Sequence, residues 1–377
     1  MGLTRYQSWF RRFDGDVENV AGKPDEREFY VNTIMHHDFG EVFGSALQRI
    51  EQTSLVFLVF GSWTTFAVGF SSTGSPQWDV EIEDDGYWEK TGHSPNQQWY
   101  CGSAGPYTTK CRIKKGGEVA EIVDLSSITN DTDDVESRGA ASDDSGNLYT
   151  GAQWYDSDGN GYYKYVKVDT EGSVDAITSA DMPNPKRPIV FDFNNGEVLC
   201  GAEDWDNDQL YIEVRDSNLS SINSYATEYP DISVIARFDS SNRIVIAGNK
   251  KNESNSIYKV GVFQTMISDL PETNDLYIDD IATEYNGDAT YVGVQVDYGD
   301  GNLYKLGSDG ECEWYLTQNE LNMDDGKYNG IWGLTLDPKD NVYVVISGGT
   351  YGGGGVVMVT PDGEPQWIYR NGPYDWP

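Results

Sequence analysis

Histidine is nearly missing from this chain: only His36, His37 and His93 occur in 377 residues. Imidazole-based metal centres and acid–base pairs therefore have few places to form. His36 and His37 are consecutive, and consecutive strand residues point to opposite faces, so the two would not chelate together. Cysteine is scarce too, and four in this length do not make a disulfide framework. Cys200 and Cys312 sit in strand-like runs and are expected as buried thiols. Cys101 and Cys111 flank GSAGPYTTK, where a bridge across one hairpin is conceivable, but free thiols are the expected state. Positive charge is the third shortage, with 26 Lys+Arg against 62 Asp+Glu and a net charge of −36. A nucleic-acid partner is excluded, because phosphates would be repelled rather than neutralised. No G-x-S-x-G, H-E-x-x-H, Walker loop or C-x-x-C is present. The Gly-rich stretch TYGGGGVV at 350–357 runs into a strand rather than a helix N-terminus, so it lacks the dipole of a phosphate cradle.

Targeting and membrane signals are equally thin. Arg11-Arg12 is followed by FDGDVENV, where a twin-arginine signal would need an apolar core. The longest stretch without charge, 52–78, contains LVFLVFGSWTTFAVGF, broken by Gly61-Ser62. It is rich in β-branched and aromatic residues and reads as two strands, so no membrane insertion is expected.

Aromatic residues at 13% and hydrophobic residues at 38% argue against a disordered acidic chain. Forty-one Gly, 25 Tyr and 11 Trp indicate an all-β chain with many turns. The acid is spread from Asp14 to Asp375 with no like-charge tail. Such spread acidity resembles that of proteins of extreme halophiles. Molar salt shortens the Debye length to about 3 Å, and surface carboxylates then cease to repel one another.

Internal repetition is the strongest signal. A turn ending in Gly, with Trp four residues later, follows an apolar strand in GSPQW at 74–78, GECEW at 310–314 and GEPQW at 363–367. Weaker copies centre on Gly117, Gly172, Asn218 and Gln264, so seven turns recur 43 to 55 residues apart. Between them falls a second motif, a polar turn followed by apolar alternation. Its clearest copies are DDSGNLYTGA at 143–152, FNNGEVLCGA at 193–202, DSSNRIVIAG at 239–248, YNGDATYVGV at 285–294 and DPKDNVYVVI at 337–346. Degenerate copies stand at 51–60 and 95–102. Each unit reads as four short strands. One four-stranded sheet cannot bury both faces, but several stacked radially can. The expected fold is an all-β, seven-bladed β-propeller of four-stranded antiparallel blades over 42–377, with the repeated Trp filling the wedge between blades. Residues 1–41 do not fit the repeat and form an N-terminal arm.

The Gly-x-x-x-Trp turn resembles the tryptophan-docking repeat of quinoprotein (PQQ-like) propellers, closely in three blades. The resemblance implies seven or eight blades and says little about chemistry. The cofactor-binding residues and the vicinal cysteine pair of the quinoprotein dehydrogenases are not identifiable, so their activity is not carried over.

Candidate functional residues cluster in loops between second and third strands. Trp154, Tyr155, Trp205, Tyr298 and Tyr351, with Trp63 and Tyr107, place aromatics beside carboxylates. That combination suits sugars, whose C–H faces stack while hydroxyls hydrogen-bond. The same loops carry Asp156, Asp158 and Asn160, then Asp204, Asp206 and Asp208, then Asp297, Asp300 and Asn302. D-x-D-x-D/N spacing can gather oxygens for calcium, although Asp-Gly turns solvated by water use the same residues. Arg5, Arg11 and Arg12 make the arm a basic patch that either caps the propeller or docks on a partner's acidic surface.

The expected function is a non-enzymatic recognition propeller in the virion of a halophilic archaeal virus. A tail, baseplate or spike component of this kind would assemble through the arm with other virion proteins, in a homo-oligomeric or larger assembly. Its loop face would attach to a host-surface glycan or glycoprotein. The alternatives are a cytoplasmic interaction scaffold of a halophilic archaeon and a propeller lyase or glycosidase, the last because carboxylates abound.

Overall fold

The computed structural model describes residues 28–31, 43–50, 54–60, 65–71, 76–82, 88–89, 99–104, 109–114, 118–128 and 135–371, apart from 144, 183, 228, 230–234, 250–254, 260–262, 267–268, 272–276, 285–286, 296–300, 322–330, 338 and 348–353. Among these residues every regular element is a strand except one 3-10 turn, Leu125–Ile128. The strands form consecutive antiparallel sheets, here numbered I (43–82), II (88–124), III (136–179), IV (185–226), V (235–266), VI (277–316) and VII (331–371). Each takes four strands in chain order. Sheet VII gains a fifth, Glu28–Val31 of the arm, which runs parallel to Pro365–Asn371 with Glu28 opposite Ile368.

Both sequence motifs map onto this order. All seven copies of the second motif fall on second strands, from Ser54–Phe60 in sheet I to Val342–Ser347 in sheet VII. The Gly turns join third to fourth strands, with one correction. Gln264, expected in a turn, lies inside the fourth strand of sheet V, Phe263–Met266, so that turn comes earlier. The uncharged stretch 52–78 holds the strands Ser54–Phe60 and Thr65–Ser71, and no described helix is long and apolar enough to cross a membrane. The register pairs Cys101 with Arg112 and Cys111 with Gly102, so the two cysteines are not opposite each other. Cys200 is buried and Cys312 half-buried, both as free thiols.

One local device recurs among the described hairpins. In eight turns among the described residues, the N–H of the first residue donates to the carbonyl of the fifth, and the N–H of the fourth donates back to the first. The fourth residue has positive φ in all of them: Gly146, Gly159, Gly172, Leu219, Asn242, Gly310, Asp340 and Gly363. This is a type I turn closed by a bulge, a favoured three-residue hairpin. Six of the turns begin with Asp (143, 156, 169, 216, 239 and 337), whose carboxylate accepts the N–H of the third and fifth residues.

The apolar core lies between sheets rather than at a single centre. One cluster joins sheets VI and VII through Tyr291, Leu303, Leu316, Leu334, Val344 and Val357. Others join V to VI, IV to V and III to IV. At the VI–VII seam Trp314 fills the wedge. Its ring sits 5.8 Å from that of Tyr291, and its Nε1 donates to the carbonyl of Pro361 in the next sheet at 2.9 Å. A Cβ on Gly363 would lie 3.0 Å from the indole, and the φ of Gly363 is +84°, so Gly answers both demands at once. The III–IV seam is closed differently. Glu213 and Arg215, both buried, form an ion pair. Arg215 also donates to the carbonyls of Ser179 (3.0 Å) and Leu219 (2.8 Å) and covers the ring of Tyr165, while Glu213 accepts the N–H of Asp181.

Candidate binding face on sheets III and IV

The second-to-third-strand loop of sheet III is an aromatic ladder. Trp154 and Tyr162 are paired in register and stack with centroids 5.3 Å apart and planes 9° apart. Tyr155 meets Tyr163 edge-on at 6.3 Å, and the Tyr163 hydroxyl donates to that of Tyr155 at 3.2 Å. Alternation puts Trp154 and Tyr162 on one face of the hairpin and Tyr155 and Tyr163 on the other. In sheet IV Trp205 stands at the corresponding loop, 55% exposed; Tyr155 is 47% exposed. The Trp205 Nε1 donates to the buried carboxylate of Glu203, which fixes the indole while leaving it accessible.

Cations missed by the sequence reading complete the surface. Lys186 lies 4.3 Å above the Tyr163 ring and donates to its hydroxyl at 3.1 Å. The Arg187 guanidinium lies 5.3 Å above Trp205 and 3.5 Å from Glu203. Their trace in the sequence is PKRP at 185–188, two adjacent cations in a very acidic chain, on a strand rather than in a loop. Thus Tyr155 and Trp205 stand at corresponding loops of neighbouring sheets, whereas Trp154 lies on the opposite face of its hairpin, packed against the cluster of Leu148 and Val166. Tyr298 and Tyr351, like Trp63, Tyr107 and the arm's Arg5, Arg11 and Arg12, lie outside the described residues.

The Asp-rich loops are arranged as turns. The carboxylate of Asp156 accepts the N–H groups of Asp158 and Asn160, the Asn160 side chain at 2.9 Å and the Tyr162 hydroxyl at 3.1 Å. The Asn160 bonds, foremost, hold Asp156 below its ordinary pKa. Asp204 likewise accepts from the N–H groups of Asp206 and Asn207 and from the Asn207 side chain at 2.6 Å, while Asp206 accepts from Asn184. Asp208 adopts a φ of +52° in the same turn. The carboxylates of Asp156 and Asp204 are thus turned onto the amides of their own turns, as in the Asp-turn reading of these loops. Among the described residues no group of three or more His, Cys, Asp or Glu is placed to hold a metal ion.

A cavity of about 240 Å³ opens at the other end of the strands, among the first-to-second-strand turns of sheets IV, V and VI. Its carboxylates are engaged in holding those sheets. Asp192 accepts the N–H of Phe238 across the seam, and Asp239 pairs with buried Lys259 at 2.9 Å. Glu284 pairs with Lys305 at 3.0 Å. Burial pushes Asp239 up, but its bonds from Lys259, Arg243 and Ser241 outweigh this and hold it below the usual carboxylate range.

No protein-family model matches the chain, and no curated protein matches it. Solved structures do. The β-propeller domain of the trilobed protease from Pyrococcus furiosus, described as having an open velcro topology, matches with a TM-score of 0.51 over 87% of this chain and 98% of that one, at 12% identity. The chain is a β-propeller. Kuenenia stuttgartiensis hydrazine synthase matches at a TM-score of 0.56 and 11% identity, over 84% of this chain and 95% of that one. Pyrococcus horikoshii acylaminoacyl peptidase matches at 0.55 and 14%, over 86% of this chain, which spans 52% of the peptidase. Identities this low carry the fold alone.

Proposed function

We propose that this propeller is a non-enzymatic recognition module of seven blades, a virion component of a halophilic archaeal virus that attaches to a host-surface glycan or glycoprotein. The observation that carries the binding role is the pair of exposed, anchored rings, Trp205 and Tyr155, on adjacent sheets. Both are half open to solvent and both are held by hydrogen bonds. A platform already ordered in the free protein loses little side-chain entropy when a sugar stacks on it. Ring closure is supported by the first strand of sheet I, Phe43–Ile50, lying against the first strand of sheet VII, Ile331–Leu336. The halophilic setting rests on the net charge of −36.

Trp205→Ala and Tyr155→Ala are each expected to weaken attachment to host cells by about 2 kcal/mol with an unchanged melting temperature. Wild-type attachment by the stably folded double variant would move the binding face elsewhere. Thermal stability is expected to rise steeply between 0.1 and 2 M KCl in this reading, and a flat profile would remove the halophilic part of it.

A further inference from the structure

Lys186 and Arg187 are neighbours in sequence, yet each covers a different ring, Tyr163 in sheet III and Trp205 in sheet IV. This is possible because the first strand of sheet IV breaks register between Lys186 and Ile189. Arg187 sits there at φ +43°, a left-handed conformation that non-glycine residues seldom adopt, and it directly precedes proline, which disfavours helical backbone further. The break is locked from sheet III, because a side chain on Gly151 would collide with the Pro188 carbonyl. Bulges and strained backbone that re-aim side chains cluster at binding sites.

The side chain so aimed is underused. Arg187 has five N–H donors and is 44% exposed, and its polar contact among the described residues is Glu203 at 3.5 Å. Lys186 donates to the Tyr163 hydroxyl and keeps further donor capacity. Two ring–cation units therefore stand side by side, each cation holding one polar partner among the described residues and further donors besides. The sugar face of the proposed function would be served by the rings alone; the cations ask for something more.

Resting on that reading, we infer that the face recognises an anionic sugar, its ring stacked on Trp205 or Tyr155 and its acidic group accepting from Arg187 and Lys186. A planar guanidinium can take a carboxylate or sulfate through two parallel bonds, a geometry that survives molar salt better than long-range attraction does. Asp206 at the rim would repel an acid bound elsewhere on the loop, which favours the register with the acidic group over the bulge.

The test is calorimetric titration of the full chain in 2 M KCl with three probes: a galacturonic acid trisaccharide, its neutral methyl ester, and a sulfated galactose trisaccharide. At least one acidic probe is expected to bind about five-fold more tightly than the ester, and the two acidic arms tell carboxylate from sulfate. Arg187→Asn, whose side chain tolerates the left-handed backbone, should keep the melting temperature and lose that preference while still binding the ester. Lys186→Gln, outside the strained position, should reduce it in part. Equal binding of all three probes by the wild type overturns the anionic assignment and leaves the sugar reading standing. Absence of binding to any probe overturns both. An Arg187→Asn variant as selective as wild type overturns the role of the bulge.

Discussion

The VI–VII and III–IV seams each hold an apolar cluster but differ in the largest group wedged beside it. At the first, an indole from one sheet rests on a glycine of the next, and one hydrogen bond, from Trp314 to Pro361, sets its depth. At the second, the corresponding region holds a guanidinium and a carboxylate, both buried, with backbone carbonyls and a phenol ring completing their shell. The wedge between neighbouring sheets can thus be filled by apolar area or by a satisfied ionic cluster. The two fillings should fail differently. Removing a ring leaves a hole that neighbours can partly close, whereas removing one charge strands the other in a dry place.

The largest effect is therefore expected at the ionic seam. Arg215→Leu should cost about 3–5 kcal/mol, and Glu213→Leu/Arg215→Leu should recover most of that, measured by chemical denaturation in high salt. A double variant as unstable as the single one would mean that the pair contributes more than mutual neutralisation. The pH dependence sharpens this test. Burial, foremost, raises the pKa of Glu213 in the folded protein despite Arg215 beside it. A raised folded pKa means that Glu213's contribution to stability is complete below the ordinary value of 4.5 and lost as pH rises through the folded value. Loss of Arg215 raises it further. The gap between Arg215→Leu and wild type should then narrow as pH falls from 7 towards 4.5, and a gap independent of pH would exclude a stranded carboxylate as its cause.

At the apolar seam Trp314→Ala should cost about 2–3 kcal/mol, less than a fully buried indole because the ring is half-buried. Gly363→Ala should cost about 1–2 kcal/mol, from positive φ and the close approach of the indole together. Combined, the two substitutions should be less than additive, since removing the ring removes the clash; strict additivity would separate them physically. The smallest effect belongs to the exposed turn of sheet III. Asp156→Ala should leave the melting temperature unchanged while speeding amide exchange at Asp158 and Asn160. Millimolar calcium should shift neither wild type nor variant, whereas a calcium-dependent rise lost in Asp156→Ala would restore the metal reading of that loop.

The contrast between the seams also explains what could be read from the sequence. GECEW at 310–314 and GEPQW at 363–367 announce the apolar seam, because tryptophan is rare in the chain and stands there at a fixed spacing from a φ-permissive glycine. The third-to-fourth-strand connection of sheet V escapes the pattern because Gly261 is followed four residues later by Thr265 in place of Trp; Thr265 donates to the Gly310 carbonyl at 2.8 Å. The ionic seam was not legible at all. Glu213 and Arg215 alternate with Ile212 and Val214, a pattern that ordinarily means one wet face. In a sheet packed on both sides that inference fails, and here all four residues are buried. The aromatic half of the candidate face was visible in the loops. Its cationic half was not, since nothing in PKRP reveals a register break.

The self-closing Asp turns give the acidity of this chain a second meaning. The six carboxylates that open them hold the amides of their own hairpins, so they belong to the folding instructions as well as to the surface charge. Glutamate, one methylene longer, would reach past those amides, so the two acids are not interchangeable there. Anyone refitting this protein for dilute buffer by neutralising its surface would have two populations of acid to sort. Carboxylates that only face water can be replaced freely. Those at the head of a turn must keep an acceptor of the same length, which asparagine supplies and glutamine does not.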